Sequence, residues 1–257
     1  MLANYHTHTA RCNHAIGTER EYIEQAIGAG FKILGFSDHV PQPYPENYDF
    51  HIRMKLSEIE NYTSTLTKLK EEYKNDIQIF IGYEAEYQPK YFLKMLKEIR
   101  KFPIDYLIQG QHFVADEIEG FYSGAMTDSV DDLKAYVDLT IEGMQTGLFT
   151  YLAHPDLINF IGPDEIFKKH MTPLVQTAID LNIPLEINML GFMDDRNYPC
   201  DRFFSLATDM NAPLIIGCDA HNPKHVMQPE TLPGFVEFLN KHNIKIGDNK
   251  IELRPIK

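Results

Sequence analysis

A regular alternation of short apolar segments with longer amphipathic ones constrains the fold of this chain more than any other feature. An apolar run such as 77–82 or 213–218 is typical of a strand that is buried on both faces of a parallel sheet. Amphipathic segments separate these runs, and the pattern from Thr18 to Glu21 is a capping box at the start of the first helix. Seven strands are predicted: one in the N-terminal residues before His6, and the others at 31–36, 77–82, 104–108, 148–153, 184–188 and 213–218.

Helices are predicted between the strands, at about 18–28, 57–73, 89–101, 129–147 and 163–181, and a further helix is capped by Asp201. Strand, helix and strand follow one another without an internal linker, a repeat or a low-complexity segment. A (β/α) barrel typically needs about 250 residues, and this chain has 257. The pattern therefore predicts an α/β fold in which seven parallel strands close into a TIM-like (β/α)7 barrel, with 1–257 as one domain.

The charge and the cysteines exclude several classes of protein. Lys and Arg total 24 against 37 Asp and Glu, so the net charge of −13 argues against binding to a nucleic-acid backbone. The three cysteines, Cys12, Cys200 and Cys218, are too few and too scattered for a disulfide framework or a zinc site of paired cysteines. No apolar run approaches the roughly 18 residues of a membrane span, and the chain is polar by Asn4. We therefore predict a soluble, cytoplasmic protein with reduced thiols, no nucleic-acid partner and no membrane association.

Every predicted strand ends in side chains that can bind a metal ion, and barrel enzymes carry their reactive groups at this end. Seven of the 11 histidines lie at or just beyond the strand ends, together with several carboxylates. The set comprises His6, His8, His14, Asp38, His39, Glu84, Glu86, His112, His154, Asp156, Glu186, Asn188, Asp219 and His221. For the other four histidines, His51, His170, His225 and His242, a structural role is predicted. Imidazole mixed with carboxylate, without thiolate, favours zinc, manganese or iron over calcium or magnesium.

Several of these motifs, in their order along nearly the whole chain, resemble the polymerase-and-histidinol-phosphatase (PHP) superfamily of metal-dependent phosphoesterases. They are His6-Thr7-His8, Ser37-Asp38-His39, Gly82-Tyr83-Glu84, His112, His154-Pro155 and Asp219-Ala220-His221. The length, the Asn13-His14 pair and the strand 186–188 followed by Tyr198-Pro199 look most like the stand-alone histidinol-phosphate phosphatases of that superfamily. The resemblance implies that the seven-stranded barrel is distorted and that it holds three divalent metal ions.

The ligand set follows from the resemblance, position by position. It assigns the first ion to His6, His8, Glu84 and Asp219, the second to Glu84 as a bridge with His112 and His154, and the third to His14, His39 and His221. It also implies catalytic roles for Glu84, Asp219 and His221. Glu86 is a rival for the bridge because it lies two residues along the same strand face, but the Gly-x-Glu spacing favours Glu84.

The phosphate-binding residue is less constrained, because this chain departs from the pattern of the related phosphatases. They often carry a basic residue soon after an Asn-x-x-Gly turn, whereas here Phe192 follows Gly191. Arg196 is the first candidate, Arg202 the second and Arg11 the third, since a guanidinium makes bidentate contacts with phosphate oxygens.

The resemblance implies hydrolysis of a small phosphorylated substrate by a hydroxide that bridges two metal ions. The substrate that it favours is L-histidinol phosphate, cleaved to L-histidinol and phosphate in histidine biosynthesis. Glu86 and Glu186 are candidates for contact with the ammonium group, and a histidine, an aspartate or a metal-bound water protonates the leaving group. Three alternatives stay open: another small-molecule or nucleotide phosphoesterase of the superfamily, a non-catalytic metal-binding module, and, less favoured, an amidohydrolase, which commonly uses a barrel lysine between two metals.

Overall fold

In a computed structural model that describes residues 1–45, 47–48 and 51–256, seven parallel strands form one sheet around the barrel axis. Their order is β1, β2, β3, β4, β7, β8, β9, and every pair of neighbours is parallel. The remaining strands, β5 and β6, form a small antiparallel hairpin after β4. The bounds are β1 Ala3–Asn4, β2 Ile33–His39, β3 Gln78–Ala85, β4 Tyr106–Gln109, β5 Phe113–Val114, β6 Phe121–Tyr122, β7 Phe149–Leu152, β8 Leu185–Asn188 and β9 Leu214–Gly217.

Helices alternate with the strands. Their bounds in the described residues are α1 Glu19–Gly28, α2 Ile59–Glu72, α3 Phe92–Ile99, α4 Val130–Gln145, α5 Asp164–Asp180, α6 Met189–Met193, α7 Asp201–Asp209 and α8 Phe235–Lys241. Short 3-10 helices lie at Ala10–Cys12, Leu56–Glu58, Pro223–His225 and Pro229–Thr231. None of the described helices is both long enough and apolar enough to cross a bilayer.

The first and last strands meet just beyond their carboxyl ends, so the barrel is nearly closed. Thr7 and Ala220 form an isolated parallel bridge. The backbone N–H of His8 donates to the Ala220 carbonyl at 2.9 Å, and the N–H of Ala220 donates to the His6 carbonyl at 3.2 Å. The predicted fold class, a distorted (β/α)7 TIM-like barrel, is thereby confirmed.

Local sequence signals explain where several helices begin. Thr18 accepts from the N–H of Glu21, whose carboxylate accepts in return from Thr18, and Ser129 caps α4 through the N–H of Asp132, so both predicted caps are confirmed. The cap predicted at Asp201 is wrong by one residue. Cys200 takes the N-cap position, while Asp201 is the first residue of α7 and its carboxylate binds Lys241 and His242 instead.

Two of the strands extend further toward their carboxyl ends than the apolar runs predict. β2 continues to His39 and β3 to Ala85, and His39 pairs with Glu84 in the parallel ladder. Backbone pairing is indifferent to side-chain polarity, so the ladder continues past the last apolar residue. The consequence is that Asp38, His39 and Glu84 are held rigidly in strands and not in the loops that follow.

A small apolar cluster fills the inside of the barrel below these polar strand ends. It contains Tyr5, Tyr106, Ile108 and Tyr151, and it is separate from the large core between the sheet and the helices. The Tyr106 hydroxyl donates to the Tyr5 carbonyl at 2.6 Å. Its ring occupies the space above Gly82, where a Cβ would lie 2.5 Å from the ring. Because this end of the barrel is filled, a ligand has access only from the carboxyl end of the strands.

Candidate metal centre

All nine predicted metal ligands lie in one cluster at the carboxyl end of the barrel. Strand ends carry most of them, and His14 comes from the turn after the 3-10 helix Ala10–Cys12. The imidazole rings form a continuous group, with centroid separations of 4.0 Å for His8 and His221, 4.4 Å for His8 and His39, 4.6 Å for His14 and His221, 4.9 Å for His39 and His112, and 4.9 Å for His112 and His154. The strand-end pattern therefore does bring these side chains together.

Glu84 lies at the centre of the cluster, and its two oxygens face different histidines. Oε1 is 2.7 Å from Nε2 of His154 and 3.4 Å from Nε2 of His112. Oε2 is 3.0 Å from Nδ1 of His39 and 3.5 Å from Nε2 of His8. A carboxylate placed in this way has the geometry of a bridge between two cations.

Four of the histidines are oriented in the same way. Each Nδ1–H donates to a carboxylate or a backbone carbonyl, which leaves the lone pair of Nε2 free for a metal ion. The four hydrogen bonds run from His6 to Glu186 at 2.8 Å, from His14 to the Cys12 carbonyl at 2.7 Å, from His112 to Glu86 at 3.1 Å and from His221 to the Asp219 carbonyl at 3.0 Å. This arrangement is typical of metal-binding histidines in proteins.

Many buried polar atoms of the cluster have no hydrogen-bond partner among the described residues. These atoms are Nε2 of His6, both ring nitrogens of His8, Nδ1 of His39, Oε2 of Glu84, Nδ1 of His154 and Nε2 of His221. An unpaired buried polar atom costs about 1–3 kcal/mol, and native proteins contain few of them. Cations among these atoms would remove that cost, so the residues present fit a centre of divalent metal ions.

The ligand atoms also lie close enough together for shared ions. His6, His8 and Asp219 have one ligand atom each within 4.8 Å of the others, and so do His14, His39 and His221. The first group contains three of the four residues predicted for the first ion, and the second group is the set predicted for the third ion, while His6, Glu84 and His154 form another such group. The assignment of each ligand to a particular ion stays a prediction.

Cys12 also lies near the cluster, although it was not predicted as a ligand. Its sulfur is within 4.8 Å of ring nitrogens of His8 and His221. Burial raises the pKa of the Cys12 thiol. Since the thiolate is the form that binds metals, a protonated buried thiol is a poor ligand.

Electrostatics favour positive charge among the carboxylates of the cluster. Burial raises the pKa of Glu84 and Asp219, but the neighbouring histidines outweigh it and hold the pKa of both carboxyls well below the usual range. Burial lowers the pKa of His6, yet Asp219 and Glu186 raise it to about 10. Burial is the main cause of the lowered pKa of His221. The ionised carboxylates thus favour a cation among the imidazoles, which is either a proton, as on His6, or a divalent metal ion that replaces it.

Glu86 and Glu186 accept hydrogen bonds from histidines of the cluster. Both oxygens of Glu86 are already paired with Arg53, and one of them also with His112 Nδ1, so the rival bridge is not supported. Glu186 accepts hydrogen bonds from the His6 ring, the His154 N–H and Asn188. Both glutamates are fully buried, and neither lines the cavity described next. The structure therefore does not support the expectation that one of them meets a substrate ammonium group.

A cavity of about 490 Å³ opens onto the cluster. One wall consists of predicted ligands, and the other is lined by Ile52, Phe113, Tyr122, Leu190, Asp194, Arg196, Tyr198 and His225. Arg196 donates to the Tyr198 hydroxyl at 2.9 Å and to Asp194 Oδ2 at 2.8 Å. Of the three predicted phosphate-binding arginines, Arg196 is the one that lines this cavity.

The other two arginines are committed elsewhere. Arg202 donates to the carbonyls of Phe160 and Gly162, and its guanidinium stacks 3.8 Å from the Phe167 ring centroid. It lies in the first turn of α7, whose direction points the side chain toward the start of α5. Arg11 binds Glu19 and donates to Asn61 Oδ1 at 2.8 Å. Neither arginine lines the cavity, so the structure does not support these alternatives.

Several wall residues were not predicted. Tyr122 lies on the hairpin strand β6 and Ile52 on the segment before α2, and neither has a periodic pattern around it. His225, which was predicted to be structural, lines the cavity from the 3-10 helix that follows His221. The one signal for His225 in the sequence was its position four residues after the last metal motif.

Two of the predicted ligands have a left-handed backbone. His154 has φ of +30° and Asp219 has φ of +51°. Non-glycine residues rarely adopt this conformation, and such strain is concentrated at functional sites, where the surrounding structure maintains it. Each residue lies two positions after the end of a buried strand, and the unusual turn directs its side chain into the cluster.

Fold and site together define an enzyme of the barrel class with a centre of histidines and carboxylates at the carboxyl end of its strands. Residues 4–190 match the family described as the PHP domain. The chain belongs to the PHP domain family. Its predicted membership is thereby confirmed.

The relatives and solved structures that the chain resembles agree with this family. A protein of Deinococcus radiodurans named "Probable histidinol-phosphatase" is 30% identical over 241 residues, which cover 88% of this chain and 88% of that protein. A protein of the same name from Schizosaccharomyces pombe is 27% identical and covers 88% of this chain and 82% of its own length. The crystal structure of a histidinol phosphate phosphatase from Lactococcus lactis, in complex with zinc, L-histidinol and phosphate, superimposes with a TM-score of 0.70 at 18% identity and covers 97% of this chain and 98% of that chain.

Proposed function

We propose that this PHP-family enzyme is a metal-dependent phosphomonoester hydrolase that converts L-histidinol phosphate and water to L-histidinol and phosphate, a step of histidine biosynthesis. The observation that carries the proposal is the cluster of unpaired imidazole nitrogens and carboxylates beside a cavity that contains a guanidinium group. The names of the relatives from D. radiodurans and S. pombe, and the ligands of the L. lactis enzyme, support the choice of substrate.

The proposed centre holds three divalent ions, of zinc, manganese or iron. The residues proposed to hold them are His6, His8, His14, His39, Glu84, His112, His154, Asp219 and His221. Such ions supply two things when they are bound: hydroxide near neutral pH and stabilisation of the charge on phosphorus oxygens. Before metal binds, the neighbouring histidines lower the pKa of Glu84 and Asp219, so both carboxyls are ionised and available as ligands.

Arg196 is proposed to bind the phosphate oxygens on the side of the cavity opposite the cluster. Its bonds to Tyr198 and Asp194 use one N–H of each terminal nitrogen and fix the plane of the guanidinium. The remaining N–H groups are then free to make bidentate contacts with a phosphate. A fixed guanidinium loses little conformational entropy on binding, which favours the charged transition state.

Asp194 is the residue proposed to meet the ammonium group of the substrate. The carboxylates that line the cavity are Glu84, Asp194 and Asp219, and Asp194 is the one outside the proposed ligand set. The ammonium group would extend the existing ion pair between Asp194 and Arg196. The side chains of Phe113, Tyr122 and Leu190 provide apolar wall for the ring of the substrate.

The proposal is tested by metal analysis of the purified protein together with phosphate release from a panel of phosphomonoesters that includes L-histidinol phosphate and nucleotides. We expect three ions per chain and a kcat/KM for histidinol phosphate well above that for every other ester. A higher kcat/KM for a nucleotide or another small ester would assign that ester as the substrate in place of histidinol phosphate. Tight metal binding without turnover of any ester would favour a non-catalytic module.

Substitution of two proposed ligands tests the role of the metal centre. We expect His8→Ala and Asp219→Ala to reduce hydrolysis to the background rate, because each removes a ligand of the first proposed ion. Circular dichroism should show that both variants remain folded, and metal analysis should show ion loss. Near-normal turnover in either folded variant would contradict the assignment.

A further inference from the structure

Arg53 is a fully buried guanidinium beside the metal centre that takes no part in the reaction described above. Its N–H groups donate to a carbonyl and to two carboxylates. The hydrogen bonds are Nε to Glu117 Oε2 at 2.6 Å, Nη1 to the Val40 carbonyl at 3.0 Å, Nη1 to Glu86 Oε2 at 3.1 Å and Nη2 to Glu86 Oε1 at 2.8 Å. A buried guanidinium with four hydrogen bonds holds the partner groups in fixed positions, and they hold the guanidinium in turn.

One of these partners is shared with a proposed metal ligand. Glu86 Oε1 accepts from Arg53 Nη2 and, at 3.1 Å, from Nδ1 of His112. The other ring nitrogen of His112, Nε2, lies 3.4 Å from Glu84 Oε1. A fixed acceptor at Nδ1 places the ring proton there, so the lone pair of Nε2 faces Glu84.

The remaining contacts of Arg53 reach other segments of the site. Val40 follows His39 directly, and the Asn13 side chain, next to His14, donates to the Arg53 carbonyl at 3.1 Å. Glu117 lies in the loop of the β5–β6 hairpin, which begins directly after His112. Arg53 therefore joins segments that carry three histidines of the centre.

We propose that Arg53 is a positioning residue of the metal centre, which acts through Glu86 to fix the orientation and the tautomer of His112. The inference rests on the metal-dependent function proposed above. The fork of the guanidinium is essential to this role, because Arg53 bonds to both oxygens of Glu86 at once and thereby prevents rotation of the carboxylate. A lysine in its place would keep the charge and lose the fork.

The test compares Arg53→Lys and Glu86→Gln with a matched control. Arg20 makes the same bidentate contact, with Glu72 at 2.7 Å and 2.7 Å, but this pair is about half exposed and lies away from the cluster. Arg20→Lys therefore makes the same chemical change outside the site. Zinc affinity of the full-length proteins is measured by competition with a chromophoric chelator. The tautomer of His112 is read from nitrogen-15 NMR spectra, in which its signals are identified by their absence from His112→Gln.

We expect Arg53→Lys and Glu86→Gln to weaken the binding of one zinc ion by about 10- to 100-fold and to shift the His112 signals toward a mixture of tautomers. Activity at limiting zinc should fall and should return when zinc is in excess. Arg20→Lys should match the wild type in all three measurements. A purely structural role would lower the melting temperature without these changes.

Unchanged zinc affinity and an unchanged His112 tautomer in folded Arg53→Lys and Glu86→Gln would overturn the inference and leave the proposed function intact. If Arg53→Lys does not fold, Glu86→Gln decides the question with the same two measurements. A wild-type protein that binds none of zinc, manganese and iron would instead overturn the proposed function, and the inference with it.

Discussion

The position of the Glu84 carboxylate depends on Gly110, which directly follows the neighbouring strand β4. A Cβ at Gly110 would lie 1.9 Å from Glu84 Oε1 and 2.7 Å from its carboxyl carbon. No side chain fits there unless Glu84 moves. Gly110 thus belongs to the site although it has no group that reacts or binds.

We predict that Gly110→Ala reduces kcat/KM by about 100-fold, because a displacement of roughly 1 Å in a catalytic group has a cost of that size. The zinc content should fall with it, since Glu84 is the proposed bridge. Gly28→Ala is the control: a Cβ at Gly28, the last residue of α1, meets nothing within 4 Å. Steady-state kinetics and metal analysis of both variants check the prediction, and wild-type values for Gly110→Ala would contradict it.

Replacement of the two arginines that follow the Asn-x-x-Gly turn is predicted to have very different effects on the KM for histidinol phosphate. Arg196→Ala should raise KM for histidinol phosphate by about 10- to 100-fold, which corresponds to the 1.5–3 kcal/mol of a hydrogen bond to a charged group. Arg202→Ala removes the same charge at a position bound to the Phe160 carbonyl, and it should leave KM unchanged. Initial rates over a range of substrate concentrations check both variants. A larger effect for Arg202→Ala would reverse the assignment.

Among the secondary-structure elements, α1 begins with a capping box formed by Thr18 and Glu21. The N–H of Thr18 donates to Glu21 Oε2 at 2.7 Å, and the Thr18 hydroxyl accepts from the N–H of Glu21 at 3.3 Å. No proposed ligand lies in α1, which packs against the outer face of the barrel through Tyr22, Ile23 and Ala26.

We predict that Thr18→Ala lowers the free energy of unfolding by about 1 kcal/mol and leaves kcat/KM unchanged. Thr172→Ala is a matched control, because Thr172 lies half-buried inside α5, its hydroxyl donates to the Lys168 carbonyl of the same helix, and alanine has the higher helix propensity. Urea denaturation of the two variants measures the difference. Equal stability of Thr18→Ala and the wild type would show that the capping box contributes nothing.

The sequence predicts these elements well where burial determines the pattern. Strands such as β3 are apolar because both faces are covered. The first turns of α1 and α4 are recognisable in the sequence from their N-cap residues. The hairpin β5–β6 and the short helix α6 were missed, since two-residue strands and a five-residue helix have no measurable period. These irregular elements and the loop after α6 form most of the cavity wall that is opposite the predicted ligands.

In the site, too, residues on buried strands could be predicted and residues in irregular segments could not. Ligands such as His39 and Glu84 were predictable because they continue buried strands, so the end of an apolar run marks their place. Arg53 was not predictable: an isolated arginine in an irregular segment is usually exposed, and its burial depends on partners from three distant segments. Tertiary contacts of this kind leave no periodic signal in the chain.

For the molecule as a whole, we predict that removal of metal lowers the melting temperature by roughly 10 °C for each ion lost. One ion at about 1,000 times its Kd adds about 4 kcal/mol of stability to the folded chain, and each kcal/mol corresponds to about 2–4 °C for a chain of this size. The unpaired buried atoms of the cluster are the source of this dependence.

Thermal unfolding before and after treatment with a chelator checks this prediction. Addition of zinc should restore the original melting temperature, whereas calcium should not, because calcium prefers oxygen ligands in greater number than the cluster offers. An identical melting temperature with and without the chelator would show that the cluster is stable without ions.

The bridge between Thr7 and Ala220 joins the first and last strands of the barrel, which the ribosome synthesises at very different times. Asn4 and Cys218, which bond to one another just below this bridge, are 214 residues apart in the chain. At a synthesis rate of about 5–20 residues per second, His6 and His8 leave the ribosome on the order of 10 to 40 s before Asp219 and His221. Through all of that interval the chain lacks Asp219 and His221, although Glu84, His112 and His154 are already made. With the proposed ligand set, the metal centre would be completed only after translation of the last strand, and a chain released before Asp219 would lack ligands of the first and the third proposed ion.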